Sequence, residues 1–160
     1  MALALAEARA AAARGEVPVG AVVSAADGRV LSAAGNRTVE LRDPTAHAEM
    51  LAIRAACATL GSERLPGTTL HVTLEPCPMC ASAISHARIA VLIYGASDPK
   101  SGGVEGGPRV FTHPQCHHAP QVISGIGEVE SAALLRDFFK RLRHVPPRQG
   151  WNDTGEQSLI

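Results

Sequence analysis

Apolar and polar positions along the chain alternate between two periods, one helical and one extended. Residues 2–14 are mostly alanine and leucine, and Gly15 stands where a helix C-cap glycine belongs, so a first helix is predicted there. Val17 to Val23 and the pair Val30-Leu31 flank Asp27-Gly28, a strong turn signal that predicts an antiparallel hairpin. Between residues 45 and 60, Ala46, Met50, Ile53, Cys57 and Leu60 recur in steps of four and three, the spacing of one helix face. Asp43-Pro44-Thr45 reads as the N-cap and first turn of that helix, and Gly61 as its end.

Further on, Leu70 to Leu74 reads as a short strand, and Cys77 to Ala87 as a helix entered through Pro76 and Pro78. The nearly continuous apolar run Ile89 to Tyr94 predicts a strand covered on both faces. Residues 95–120 carry glycine at 95, 102, 103, 106 and 107 and read as one long loop, of a length that in compact domains is either functional or disordered. Gln121 to Ser124 predicts a last strand. Glu128 to Arg143 predicts a helix with glutamates at its start and Lys140, Arg141 and Arg143 at its end, as the macrodipole favours. The expected organisation is one domain over residues 1–145 and a polar C-terminal tail over 146–160. Strands alternating with helices predict an α/β fold, a three-layer α/β/α sandwich around a mixed, mostly five-stranded sheet. Its first strand pair is expected to be antiparallel and the later strands parallel.

Composition changes this picture little. The 160 residues are 46% hydrophobic and only 3% aromatic, so aliphatic side chains must fill the core. Net charge is zero, and any polyanion would have to meet a local basic patch. No run approaches the roughly 20 apolar residues of a membrane span. Met1 to Ala13 lacks a basic lead and is interrupted by Glu7 and Arg9, which argues for a soluble helix, no membrane association and a cytoplasmic protein. Four cysteines in a chain of this length do not make a secreted disulfide scaffold.

The chemistry concentrates in Thr45-Ala-His-Ala-Glu49 and Glu75-Pro-Cys-Pro-Met-Cys80. Cys77 and Cys80, three apart on a helix, put two thiols on one face, the geometry for sharing a tetrahedral zinc. His47 would be a third ligand from the first turn of another helix. Three protein ligands leave a vertex for water, and the metal lowers that water's pKa toward neutrality. Glu49, two residues from His47, would shuttle the proton. Other readings remain open on spacing alone. The cysteines could be a redox pair, a structural zinc could recruit His71, His86 or Cys116, and His47 could be an ordinary capping or core histidine.

With those motifs in place, the chain resembles the cytidine-deaminase-like superfamily and, within it, the bacterial tRNA-specific adenosine deaminases. The likeness runs from Glu16 to Arg143. It includes Glu16-Val-Pro-Val-Gly-Ala-Val22, Gly35-Asn-Arg37, Asp43-Pro-Thr-Ala-His-Ala-Glu49, Val72-Thr-Leu-Glu-Pro-Cys77, Gly95-Ala-Ser-Asp-Pro-Lys100 and Asp137-Phe-Phe139. The resemblance implies a homodimer that converts adenosine to inosine at the wobble position of a tRNA anticodon loop. It implies one Zn2+ per subunit on His47, Cys77 and Cys80, with a bound water or hydroxide, and Glu49 as the catalytic proton shuttle. Asn36 is implied as a contact to the target nucleotide, Asp98 and Lys100 as contacts to its neighbours, and the Glu16–Val19 backbone, with Val19, as pocket wall. Asn36 could instead be a left-handed turn residue, and Asp98-Pro99 a plain turn initiator.

A C-terminal patch of Arg136, Lys140, Arg141, Arg143 and Arg148 suits phosphate contacts. Gly103-Val-Glu-Gly-Gly107 departs from the family pattern, and Glu105 would be unfavourable beside a phosphate backbone. The principal alternative is a deaminase of a free nucleobase or nucleoside such as guanine, cytosine or cytidine. A further one is a zinc-stabilised binding module without catalysis, for which Glu49 would have no use.

Overall fold

The computed structural model describes residues 1–143; the expected tail and Arg148 lie outside the described residues. The first helix, α1, spans Ala2–Ala13 and ends at Arg14, with Gly15 at a φ of 81° just beyond. Strands β1 (Gly20–Ser24) and β2 (Val30–Gly35) form the antiparallel hairpin, closed by Gly28 and by the Asp27 carboxylate accepting the Arg29 N–H. Helix α2 (Ala48–Leu60) is followed by β3 (Thr69–Leu74), α3 (Pro78–His86) and β4 (Val91–Ala96). Strand β5 (Gln121–Ile123) and helix α4 (Glu128–Leu142) complete the order, with one short 3-10 turn at Val110–Thr112 inside the long loop.

The five strands make one mixed sheet in the order β2-β1-β3-β4-β5. Strand β1 is antiparallel to both its neighbours, and β3, β4 and β5 are mutually parallel. Helices α1 and α4 touch each other across one face, and α2 and α3 touch across the other. This is the three-layer sandwich. Its core is aliphatic, with Val23, Leu70, Val72, Ile84 and Leu92 fully or nearly fully buried and Tyr94 as its one large aromatic. Helix α1 sits unusually close to the sheet, because its buried face is alanine and leucine and because β1 opens with Gly20. A side chain at Gly20 would run into the Ala4 carbonyl oxygen.

Two expectations for α2 are corrected. The helix starts at Ala48, not at Pro44, and its N-cap is His47, not Asp43. Asp43 instead closes its own turn, its carboxylate accepting both the N–H and the hydroxyl of Thr45. The buried face is Ala48, Glu49, Ala52, Ile53 and Ala56, not the Ala46–Leu60 stripe. Met50 and Cys57 are only half-buried, and Leu60 is exposed. Alanine was the ambiguous letter: small side chains let α2 approach the sheet closely, so the alanine stripe wins over the bulkier one.

The topology places the site. Ala21 of β1 lies opposite Val72 of β3, so residues entering β1 lie beside those leaving β3. The N-terminus of α3 follows β3 after only three residues. The N-terminus of α2 packs in from the same layer.

Candidate active site

His47 and Cys77 occupy equivalent positions. Each is the N-cap of its helix, each has extended backbone (φ −69°, ψ 152° and φ −67°, ψ 168°), and neither uses its side chain to cap the helix. Both side chains are therefore free to turn toward one point. His47 Nδ1 lies 3.7 Å from Cys77 Sγ and 3.6 Å from Cys80 Sγ. The three ligand atoms all lie within 4.8 Å of one another, close enough to hold one ion. Two sulfurs and one imidazole are a donor set that fits zinc, and no carboxylate joins them. Neither His71, His86 nor Cys116 joins the group among the described residues. Cys116 is occupied elsewhere, its Sγ 3.3 Å from Ser85 Oγ and donating to the His118 carbonyl.

Beside the triad lies a cavity of about 200 Å³ whose lining includes Val19, Asn36, Glu49, Leu74 and Asp98. Glu49, in the first turn of α2, is 4% exposed. The Asn36 side-chain oxygen accepts the Ala48 N–H at 2.7 Å, and its φ is not positive, so it is not a left-handed turn residue. Its amide nitrogen has no partner among the described residues. Lys100 stands outside this cavity, in an adjoining groove with Phe139, Leu142 and Arg143, while Asp98 and Ser101 line both.

Comparison with known proteins agrees with this geometry. Residues 1–96 match the family described as the cytidine and deoxycytidylate deaminase zinc-binding region. A tRNA-specific adenosine deaminase of Agrobacterium fabrum is 62% identical over 143 residues, 89% of this chain and 93% of the relative. The chain belongs to the tRNA-specific adenosine deaminase family. A solved structure from work on A-to-I editing by tRNA:A34 deaminases superposes with a TM-score of 0.83 at 63% identity, covering 84% of this chain and 97% of that one. A guanine deaminase from Nitrosomonas europaea shares the fold more distantly, with a TM-score of 0.69 at 26% identity over 86% of this chain and 81% of its own.

The electrostatics of the site follow from hydrogen bonds within the cluster and from burial. Without a metal, the two thiols compete for one proton. The hydrogen bond from Cys80 pulls Cys77 down to about 4, against burial, and the same bond with burial pushes Cys80 up. The hydrogen bond with Cys77 raises His47 against burial. Burial also pushes the Glu49 carboxyl up to about 7.

Two further carboxylates border the site, and their role was not legible in the sequence. Glu16, 1% exposed, accepts the Thr38 hydroxyl and the N–H groups of Val39 and Glu40. Glu75, 4% exposed, accepts N–H groups from Asp98, Val104, Glu105 and Gly106. Burial raises both, but these hydrogen bonds outweigh it and hold both below the usual carboxylate range. The available signal was a glutamate embedded in an apolar segment, since a buried carboxylate must find donors. Glu105, the feared clash with phosphate, is instead turned to the hydroxyl of buried Tyr94, which donates to it.

Proposed function

We propose that this protein hydrolytically deaminates adenosine to inosine at the wobble position of tRNA, with Glu49 as the catalytic group. The carrying observation is the convergence of His47, Cys77 and Cys80 on one point beside a base-sized cavity that contains a buried carboxylate. The substrate assignment is supported by identity above 60% over most of the chain to tRNA deaminases, against 26% to a guanine deaminase.

His47 Nδ1, Cys77 Sγ and Cys80 Sγ would hold one zinc per subunit. Zinc bound there supplies a Lewis acid that makes water a competent nucleophile at neutral pH. Glu49 takes a proton from the attacking water and delivers it to the purine ring nitrogen next to C6. It then takes the remaining proton of the C6 hydroxyl and passes it to the departing amine. The water oxygen ends on C6, the C6–N bond breaks, and ammonia leaves. Val19 and Leu74 press on the base as apolar walls, and the free amide nitrogen of Asn36 donates to the bound nucleoside.

The cavity of about 200 Å³ falls below the roughly 300–1,000 Å³ of a pocket that swallows a whole ligand, which fits one base entering while its ribose stays outside. A loop base is already unstacked, so little energy is lost in extruding it. Asp98, Lys100 and the α4 residues Arg136, Lys140, Arg141 and Arg143 face the rest of the anticodon loop. The working form is a cytoplasmic homodimer. No helix among the described residues is long and apolar enough to cross a membrane.

The deciding assay incubates zinc-loaded protein with an A34 anticodon stem-loop and, separately, with guanine, cytosine and cytidine. Inosine at position 34 without small-molecule turnover is expected. Turnover of a free base without inosine formation would replace this assignment with the free-base one.

A further inference from the structure

Resting on that reading, we infer that Glu75 is a positioning residue: by gripping the backbone of residues 98–106 it holds the wall of the substrate pocket in place and so sets substrate binding. Glu75 is the first residue after β3 and lies two before Cys77, and its own N–H is tied to the Ala96 carbonyl at 2.8 Å. No ion pair among the described residues includes its carboxylate. Its donors are four backbone amides instead. Oε2 accepts from Asp98 at 3.0 Å; Oε1 accepts from Val104, Glu105 and Gly106 at 3.2, 2.9 and 2.9 Å.

Three of these donors fall on Oε1 and one on Oε2, so most of the acceptor capacity of Glu75, which also lines the cavity, is spent on the loop backbone. It acts through the loop. One oxygen holds the residue where the loop begins and the other holds three consecutive residues where it returns. Between them Asp98 accepts the N–H groups of Lys100 and Ser101 and closes a tight turn. That turn is the ridge between the cavity with Glu49 and the groove with Phe139 and Arg143, because Asp98 and Ser101 line both.

The fit is tight from the loop side too. A Cβ on Gly102 would lie 2.5 Å from Glu75 Cδ and 2.6 Å from Oε1. Any side chain there pushes the loop off its anchor. The loop is also fastened near the metal group, where the Gly103 N–H donates to the Pro76 carbonyl at 2.8 Å, and Val104 is buried in the core.

Glu75→Gln tests the inference at unchanged side-chain size, because an NH2 group replaces one oxygen and must face an amide donor. Steady-state deamination of the A34 stem-loop is measured for wild type and variant, with zinc content and amide hydrogen exchange over residues 98–106. The expected result is a KM raised about tenfold or more with kcat within about threefold, from a charged hydrogen bond lost in the ground state and transition state alike. Zinc content is unchanged and exchange in the loop is faster. An unchanged KM, or a fall in kcat with KM intact, overturns the inference.

Should Glu75→Gln fail to fold, Gly102→Ala displaces the same contact with the carboxylate intact. A raised KM then supports the inference and an unchanged one overturns it. Loss of the fold in both variants also overturns it, since Glu75 would then serve the whole domain and not the loop. Wild-type protein that forms no inosine defeats the deaminase assignment itself, a result separate from any difference between wild type and variant.

Discussion

The Asn36 side-chain oxygen lies 2.7 Å from the Ala48 backbone nitrogen, so a residue at the end of the β-hairpin caps the helix whose N-cap is His47. His47 cannot do this itself while its ring faces the two sulfurs. Asn36 thus has a structural half, the oxygen, and an amide nitrogen with no partner among the described residues, which the proposed reading assigns to the bound nucleoside. Asn36→Ala removes both and is expected to cost about 1 kcal/mol of stability, as other lost N-caps do. Asn36→Asp keeps the acceptor and removes the amide donor. Thermal melting should separate the two variants, with deamination impaired in both; full activity in Asn36→Asp would remove the donor role.

Glu49→Gln keeps the shape of a fully enclosed side chain and takes away its capacity to move a proton. Zinc content by metal analysis should match wild type, while kcat falls by about 10²–10⁴, the usual range for a lost general acid–base group. Retained turnover would move the proton shuttle elsewhere.

Removing the metal should act on both activity and fold. The triad joins the starts of α2 and α3, so an ion bound there links the two helices. A ligand that binds only the folded state adds stability by mass action. Chelation is expected to abolish deamination and to lower the melting temperature, with both restored by added zinc. Cys80→Ala should resemble the chelated protein and resist rescue. A melting temperature indifferent to zinc would count against the three-residue centre.

Acid should weaken the loop that Glu16 holds at Thr38 to Glu40. Burial alone would raise the Glu16 carboxyl, but its hydrogen bonds from Glu40, Val39 and Thr38 lower it below its usual 4.5. A carboxyl with a lowered folded-state pKa contributes stability that is present above the unfolded value and lost as pH falls through the folded one. As pH falls below the usual 4.5, melting temperature should therefore drop more steeply in wild type than in Glu16→Gln, which starts lower and has no such group to titrate. Parallel curves would show that Glu16 does not supply this slope.

The metal triad was legible because its chemistry is written in residue type and close spacing. Cys77 and Cys80 sit one helical turn apart, and a histidine followed at two residues by a glutamate marks the second strand of the pattern. The mixed sheet, with an antiparallel first pair and parallel later strands, followed from local patterns for a similar reason, each element carrying its own period. The helix α2 misled because its alanines satisfy two faces equally, and only packing against the sheet chooses between them. Glu16 and Glu75 were invisible in their roles because their partners lie 22 to 31 residues away and, apart from the Thr38 hydroxyl, are backbone amides, which carry no mark in the sequence. Lys100 was placed by resemblance beside Asp98, yet the turn that Asp98 closes directs it into the adjoining groove.

The two loops that border the cavity are gripped by their main chain and hardly at all by their side chains. Substitutions at Val39 or Glu40 leave the amides that Glu16 grasps in place. The surface presented to a nucleic acid can therefore drift while the cavity beneath keeps its shape. On the proposed reading, variation among such exposed loop side chains leaves undisturbed the two buried carboxylates that hold the cavity's borders by their backbone.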